Sequence, residues 1–212
     1  ILQPKLIFLV YLLRSRYIYR VSFQDLSDTN IFSVPVLGKF RTVPKPGQDI
    51  LFAWSGDTAC LGWGINVECG GMKIYETIRQ VNPDFFIHCG DYIYAYGPIQ
   101  SEVQLEDGSI WRNLTTPEKS KVAESLRKFR GNYIYNLLDE NVRRFNAEVS
   151  QIVQWDDHET TNNSYPTETL RNKDNLLHFH QLFLNPYLLF SLHQLKPHKF
   201  YVIPKKQKNL YF

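Results

Sequence analysis

Three short acidic segments contain the residues of this sequence best suited to hold a metal ion. Each follows an apolar run directly: 55–57 comes after 50–54, 90–94 after 85–89, and 155–159 after 149–154. The runs are short, aromatic or β-branched and flanked by turn residues, which is typical of buried strands. In an open α/β sheet, side chains at the carboxyl ends of the strands can converge on a ligand. Because carboxylate oxygens bind hard cations, the sequence predicts a metal site at this edge.

Four longer blocks place these segments in a family pattern. They read FAWSGDTA at 52–59, GWGIN at 62–66, DFFIHCGDYIYA at 84–95 and QWDDHE at 154–159, the last followed by Asn162 and Asn163. The order of the acidic motifs is similar to that of calcineurin-like metallophosphatases, and the blocks resemble the alkaline phosphatase D (PhoD-like) branch over residues 17–166. The resemblance implies a phosphoester hydrolase in which a metal-bound hydroxide attacks a phosphomonoester or phosphodiester. It also implies a binuclear metal site, with iron and calcium as the expected pair and manganese or zinc as alternatives.

The same resemblance assigns roles to individual residues. Asp91 matches the carboxylate that bridges the two metals, and Gly90 before it would let the backbone approach closely. Tyr94 matches a phenolate ligand that suits ferric iron, Asp57 matches a terminal ligand, and Asp157 would ligate the second metal. Asp57 stands where some PhoD-like enzymes have a cysteine ligand, so the resemblance leaves the metal at that position open.

Three residues of the last segment have other roles in this pattern. His158 is expected to protonate the leaving alkoxide or to bond a phosphate oxygen, since imidazole exchanges protons near neutral pH. Asp156 and Glu159 are expected to orient the metal ligands by hydrogen bonding. Further along the chain, His178 and His180 are two positions apart and cannot share a helix face, so they do not form a predicted ligand pair.

Alternating strand and helix patterns predict an α/β fold with a partial metallophosphatase-type sheet covered by helices. Residues 72–81 have the apolar spacing of a helix, and residues 117–139 predict a second, longer helix. The core stripe expected for the second helix is Val122, Leu126, Phe129, Tyr133 and Leu137. Residues 1–46 resemble the end of the immunoglobulin-like β-sandwich that precedes the phosphatase domain in PhoD-like proteins. The predicted organisation is therefore a β-sandwich remnant at 1–46 and an incomplete PhoD-like domain at 50–212.

The composition indicates a globular protein without a strong charge bias. The chain has 212 residues, 24 of them basic and 21 acidic, and a net charge of +3. The charges are spread along the chain, which favours an ordinary solvated surface over specific nucleic-acid binding. The small phosphoester substrate is implied by the family resemblance, and the oligomeric state stays open. Residues 6–13 are apolar but too short to span a bilayer and lack a signal-peptide cleavage pattern. The family resemblance suggests a secreted or periplasmic protein. The three cysteines predict no disulfide framework, and Cys89 is expected to be buried at a strand end.

The two ends of the sequence leave alternative functions open. The chain starts with Ile1, and no further ligand motif is recognisable before Phe212, so truncation at both ends is expected. Since an incomplete ligand set binds metal weakly, the chain as written is expected to show little activity. It is either a phosphatase or an inactive truncated family member that at most binds metal or phosphate weakly. A third hypothesis, a basic phosphate-binding module, predicts anion binding that does not respond to metal chelation.

Overall fold

The chain forms a mixed α/β structure with seven strands and three helices among the residues that the structure describes. This computed structural model describes residues 15–59, 61–154, 156–160 and 162. The strands are β1 (Arg16–Val21), β2 (Val36–Arg41), β3 (Phe52–Ser55), β4 (Phe85–His88), β5 (Glu102–Gln104), β6 (Ile110–Arg112) and β7 (Gln151–Val153). The helices are α1 (Lys73–Val81), α2 (Leu126–Asn136) and α3 (Glu140–Glu148). Within these residues, none of the helices is both long enough and apolar enough to cross a membrane.

A three-stranded parallel sheet carries the three acidic segments. Its strand order is β3-β4-β7, with β4 in the centre, so each of the three predicted apolar runs forms a strand. Ser55 at the end of β3 is paired with His88 at the end of β4, and His88 is paired with Val153 at the end of β7. All three strands therefore end at the same edge of the sheet, as the sequence predicts. β1 with β2 and β5 with β6 form two separate antiparallel pairs.

One face of the sheet packs against α1 and α3. Phe86, at the centre of β4, contacts the Phe145 ring edge-on with ring centroids 5.2 Å apart, and Phe145 in turn contacts the Tyr75 ring at 5.1 Å. Val142 and Val149 complete this buried cluster. α1 reaches it because its apolar side chains share one face. The helix ends at Val81, and the left-handed backbone of the capping residue Asn82 precedes Pro83.

The opposite face of the same sheet is apolar and exposed. Phe52 is 49%, Trp54 71% and Ile152 47% exposed, and the Phe52 ring stacks on the Phe85 ring of the next strand. Parallel sheets are normally covered on both faces. Among the described residues, helices cover only the face that contains Phe86.

The long helix predicted at 117–139 is wrong in its first half, because α2 begins only at Leu126. In a helix, the N–H of Ala123 would donate to the carbonyl of Lys119. Instead it donates to the carbonyl of Ala95 at 2.8 Å, while the Lys119 carbonyl accepts the N–H of Ile99 at 3.0 Å. Hydrogen bonds to a distant loop thus replace the helical bonds of this segment.

Burial in this region differs from the sequence prediction at several residues. Phe129 is buried, but Val122 and Leu137, which lie outside α2, are 43% and 41% exposed. Cys89 is exposed rather than buried, since it follows the last residue of β4 and alternates with the buried His88. Cys60 and the histidines of 178–198 lie outside the described residues.

The antiparallel β1–β2 pair contacts the end of α3. Tyr19 lies across Gly38, where a Cβ atom would overlap the tyrosine ring, and the Tyr19 hydroxyl donates to the carbonyl of Ala147 at 3.4 Å. Lys39 forms an ion pair with Glu148 at 2.7 Å. This pair and the parallel sheet belong to one compact unit, residues 1–173. The immunoglobulin-like origin of the pair and the boundary between 46 and 50 stay predictions.

Candidate metal centre

Asp91 is the residue around which the candidate site is built. Its side chain is buried, and its Oδ1 accepts the backbone N–H of His158 at 3.0 Å. The Nε2 atom of His158 lies 3.7 Å from Asp91 Oδ2 and 3.5 Å from Asp157 Oδ1. One ligand atom from each of these three residues lies within 4.8 Å of the other two. The loops after β4 and β7 thus place two carboxylates and one imidazole together.

Asp57 contacts Asp91 from the loop after β3. Its Oδ1 accepts the backbone N–H of Asp91 at 3.0 Å, and the N–H of Thr58 donates to the Asp91 carbonyl at 2.9 Å. The two loops therefore exchange a pair of hydrogen bonds beyond the ends of the strands. Gly90 makes this approach possible, because a Cβ atom there would overlap Asp57 Oδ1. Asp57 is outside the group of three ligand atoms that lie within 4.8 Å of one another.

Two tyrosines enclose the imidazole of His158. The ring centroid of Tyr94 lies 4.7 Å and that of Tyr96 5.0 Å from the His158 ring, and the Tyr96 ring is nearly parallel to it. The Nδ1 atom of His158 is buried and has no hydrogen-bond partner. The ring is therefore held by aromatic packing, with Nε2 directed to the carboxylates.

Glu159 supports the loop that contains Asp91 through the main chain. Its carboxylate is almost fully buried, and it accepts the N–H groups of Tyr92 at 2.7 Å, Ile93 at 3.2 Å and Asp156 at 2.8 Å. Burial raises the pKa of Glu159 to about 7, against the lowering effect of these three bonds. Asp156 is exposed, and its Oδ1 accepts the N–H of Asp157 at 3.0 Å. Both carboxylates, those of Asp156 and Glu159, thus bind backbone N–H groups of the loops that form the site.

The electrostatics of the site fit a bound cation. Burial raises the pKa of Asp91; the N–H bond and the charge of His158 act against this, whereas the negative charges of Asp57 and Asp157 add to it. Clustered carboxylates of this kind repel one another unless a positive charge lies between them. Two ligands of one cation are at most about 5 Å apart when the metal–ligand bonds are about 2.0–2.6 Å long. The 4.8 Å limit for Asp91, Asp157 and His158 meets that requirement, so these residues fit a metal ion.

Sequence reasoning missed several buried polar residues around the site. The buried His88 lies with its Nε2 3.0 Å from the Thr58 hydroxyl, which also contacts the Tyr75 hydroxyl at 2.8 Å. Lys119 is 7% exposed and reaches the carbonyl of Tyr94. One signal was available in advance, because His88 has the same orientation in β4 as the core residue Phe86. Lys119 had no such signal and looked like any other basic residue.

The structure thus has a parallel sheet covered by helices on one face, with acidic side chains and a histidine at the carboxyl ends of its strands. A family model described as PhoD-like phosphatase matches residues 52–187, and the chain belongs to this family. The chain is 29% identical over 127 residues to alkaline phosphatase D of Bacillus subtilis (strain 168). That alignment covers 60% of this chain and 20% of the relative, so the match spans a fifth of the length of that protein.

A solved structure entitled "Structure of PhoD" has the same fold in the matched region. The TM-score is 0.55 at 24% sequence identity, and the match covers 89% of this chain and 32% of that chain. The family identified from the sequence motifs is thus confirmed. The family match begins at Phe52, the first residue of β3, and so does not include the β1–β2 pair.

Proposed function

We propose that the site around Asp91 hydrolyses small phosphoesters with the help of two metal ions. The observation that carries the proposal is the convergence of Asp91, Asp157 and His158 within 4.8 Å, with Asp57 bonded to the backbone of Asp91. Membership of the PhoD-like phosphatase family supports this reaction class. A bound metal pair supplies a nucleophile derived from water and neutralises charge on the phosphoryl group.

The proposed ligands are divided around Asp91. Asp91 would be the bridging carboxylate, because it lies between Asp57, which bonds its backbone, and Asp157, whose ligand atom lies within 4.8 Å of its own. Asp57 and Tyr94 would hold one ion, and Asp157 would hold the other. Iron with calcium is the pair that we propose, since a phenolate such as Tyr94 suits ferric iron and carboxylates suit calcium. Manganese and zinc are the alternatives to be tested by loading.

His158 is the proposed proton donor to the leaving group. Its Nε2 atom is directed to the carboxylates where the metals and the phosphate would lie, while Nδ1 is buried against protein. The stacked rings of Tyr94 and Tyr96 limit rotation of the imidazole, so the proton is presented in a fixed direction. The same position would allow Nε2 to bind a metal, and the two roles predict different results for His158→Ala.

Two substitutions test these roles. Asp91→Asn should remove most of the bound metal, because a bridging carboxylate serves both ions and an amide supplies only a neutral oxygen. His158→Ala should retain the metal and lower turnover by about 100-fold or more if the imidazole is the acid. Metal content and the hydrolysis of chromogenic phosphomonoesters and phosphodiesters are measured after loading with iron plus calcium or with manganese. Loss of metal from His158→Ala but not from Asp91→Asn would reverse the assignment.

The same experiment separates the phosphatase from the second candidate, a family member that binds metal without turnover. That candidate is supported by the ligand group itself, which has three members among the described residues. Metal bound by the wild type without hydrolysis of either ester would favour it. Hydrolysis that Asp91→Asn abolishes would favour the enzyme. A secreted or periplasmic location and the lack of specific nucleic-acid binding stay expectations.

A further inference from the structure

Lys119 is a buried basic residue that is neither a metal ligand nor the proton donor in the proposed function. Its side chain is buried, and its Nζ atom donates to the Tyr94 carbonyl at 2.8 Å and to Asn132 Oδ1 at 2.7 Å. Among the described residues no carboxylate lies within ion-pair distance of this ammonium group. A buried charge whose acceptors are neutral costs free energy, and burial accordingly lowers the pKa of Lys119 to about 8.

The surroundings of Lys119 keep its ammonium group in one place. Asn132 lies on α2, 1% exposed, and its Nδ2 donates to the carbonyl of Lys128 at 2.9 Å. That bond turns the Asn132 carbonyl oxygen towards Lys119. The main chain of Lys119 is fixed as well, because its carbonyl accepts the N–H of Ile99. Lys119 is therefore rigid at both ends of its side chain.

The group that Lys119 holds is the peptide carbonyl of a proposed metal ligand. On one side of Tyr94, Glu159 binds the N–H groups of Tyr92 and Ile93. On the other side, the Ala95 N–H donates to the carbonyl of His158 at 2.9 Å. The Tyr94 carbonyl lies between these points and accepts two bonds, one from the Lys119 ammonium group at 2.8 Å and one from the Gly97 N–H at 3.1 Å. Lys119 contributes the shorter of these two bonds and the side-chain one, and it holds the peptide plane after Tyr94 together with the backbone bonds of Ala95 and Gly97.

We propose that Lys119 is a positioning residue that orients Tyr94 for metal binding. The inference rests on the proposed role of Tyr94 as a ligand. A ligand must be held to within about 0.5 Å by the groups around it, and loss of such a supporting contact typically lowers metal affinity about 10–100-fold. Lys119 acts through Tyr94 and contacts neither metal nor substrate.

The structure offers a matched control on the same helix. Asn136 lies one turn after Asn132, is 6% exposed, and donates from Nδ2 to the carbonyl of Tyr92 at 2.7 Å. Asn136→Ala and Lys119→Met therefore each remove one short side-chain bond to a backbone carbonyl of the same loop, and Lys119→Met also removes the bond to Asn132. Tyr92 is not a proposed ligand, so only the change at Lys119 should alter the phenolate that binds the metal.

The test uses the full chain loaded with ferric iron and measures the visible charge-transfer band of an iron-bound phenolate. Tyr94→Phe should abolish the band and thereby identify it. Lys119→Met should shift or remove the band and weaken iron binding about 10–100-fold by titration, whereas Asn136→Ala should keep both close to wild type. Should Lys119→Met fail to fold, Asn132→Leu removes the second acceptor that holds the same ammonium group in place, and a shifted band is again expected.

The possible results distinguish this inference from the proposed function. A wild-type band that Lys119→Met and Asn132→Leu both leave unchanged would overturn the role of Lys119 and leave Tyr94 as a ligand. Equal loss of the band in Asn136→Ala would also overturn it, because Lys119 would then be one of several general supports of the loop. Absence of any band that depends on Tyr94 in the wild type would overturn the ligand assignment itself.

Discussion

Gly90→Ala is predicted to disrupt the candidate site by steric overlap alone. Gly90 does not have a positive φ angle, so alanine can adopt its backbone conformation. The added Cβ atom would overlap Asp57 Oδ1 and would lie 3.0 Å from the Asp57 nitrogen and 3.2 Å from the Gly56 carbonyl carbon. Because backbone atoms are among these neighbours, rotation of the Asp57 side chain cannot relieve the overlap completely.

The size of the effect follows from the contacts that must change. Moving Asp57 breaks its hydrogen bond to the Asp91 N–H, and a bond to a charged group contributes about 1.5–3 kcal/mol. Overpacking of a tight site adds about 1–3 kcal/mol, part of which is the same displacement. We expect a total loss of about 2–4 kcal/mol in the free energy of unfolding. For a chain of this size, that corresponds to a fall of about 5–15 °C in Tm.

Gly56→Ala is the matched control, since no atom lies within 4 Å of a Cβ at Gly56 and its φ angle is not positive either. Urea unfolding and metal titration are measured for both variants. Gly56→Ala should stay within about 0.5 kcal/mol of wild type. Gly90→Ala should also bind metal more weakly, because Asp57 is displaced from Asp91. Wild-type stability and metal affinity in Gly90→Ala would refute the close packing of the two loops.

Two further predictions concern the support of the sheet. Asp139→Ala should lower the free energy of unfolding, measured in urea, by about 2–4 kcal/mol. The reason is that the buried carboxylate accepts the N–H groups of both Val142 and Met72. A loss below about 0.5 kcal/mol, the size of an ordinary surface change, would contradict this. Hydrogen bonds from the Arg79 side chain are the largest cause that lowers the pKa of Glu76 to about 2 in the folded protein. The stability that this ion pair contributes is therefore complete above the pKa of Glu76 in the unfolded chain, and it is lost as the pH falls towards 2. The ordinary pKa of a glutamate side chain is 4.5, so in Arg79→Met the free energy of unfolding should fall less steeply with pH below that value. If it falls as steeply as in the wild type, the ion pair does not contribute in this way.

The sheet was predictable because its signals are local. β3, β4 and β7 appear in the sequence as short apolar runs followed by turn residues, and α1 ends at Asn82 before a proline. The segment before α2 was not predictable, since the N–H of Ala123 pairs with the carbonyl of Ala95, 28 positions earlier. Apolar periodicity contains no information about such a distant bond.

The candidate site shows the same division between local and distant information. The strand ends indicated that Asp57 and Asp91 would lie side by side, and the structure places them in hydrogen-bond contact. The motifs indicated that Glu159 would orient the metal ligands by hydrogen bonding, but not that its carboxylate would do so through the backbone N–H groups of the Asp91 loop. Nor did they distinguish Lys119 from the other basic residues, because its burial depends on the packing of a segment whose path was mispredicted.

The hydrogen bonds of the site change how substitutions of its acidic residues must be interpreted. Asp57 offers one carboxylate oxygen to the Asp91 N–H, so Asp57→Ala would remove a structural bond together with any metal ligand. An asparagine at the same position keeps an oxygen that can accept this N–H while it removes the negative charge. Glu159 differs, because its two oxygens together serve three N–H groups and an amide would present a donor to at least one of them. A role in metal binding can therefore be separated from a role in folding at Asp57, whereas at Glu159 both substitutions disturb the loop itself.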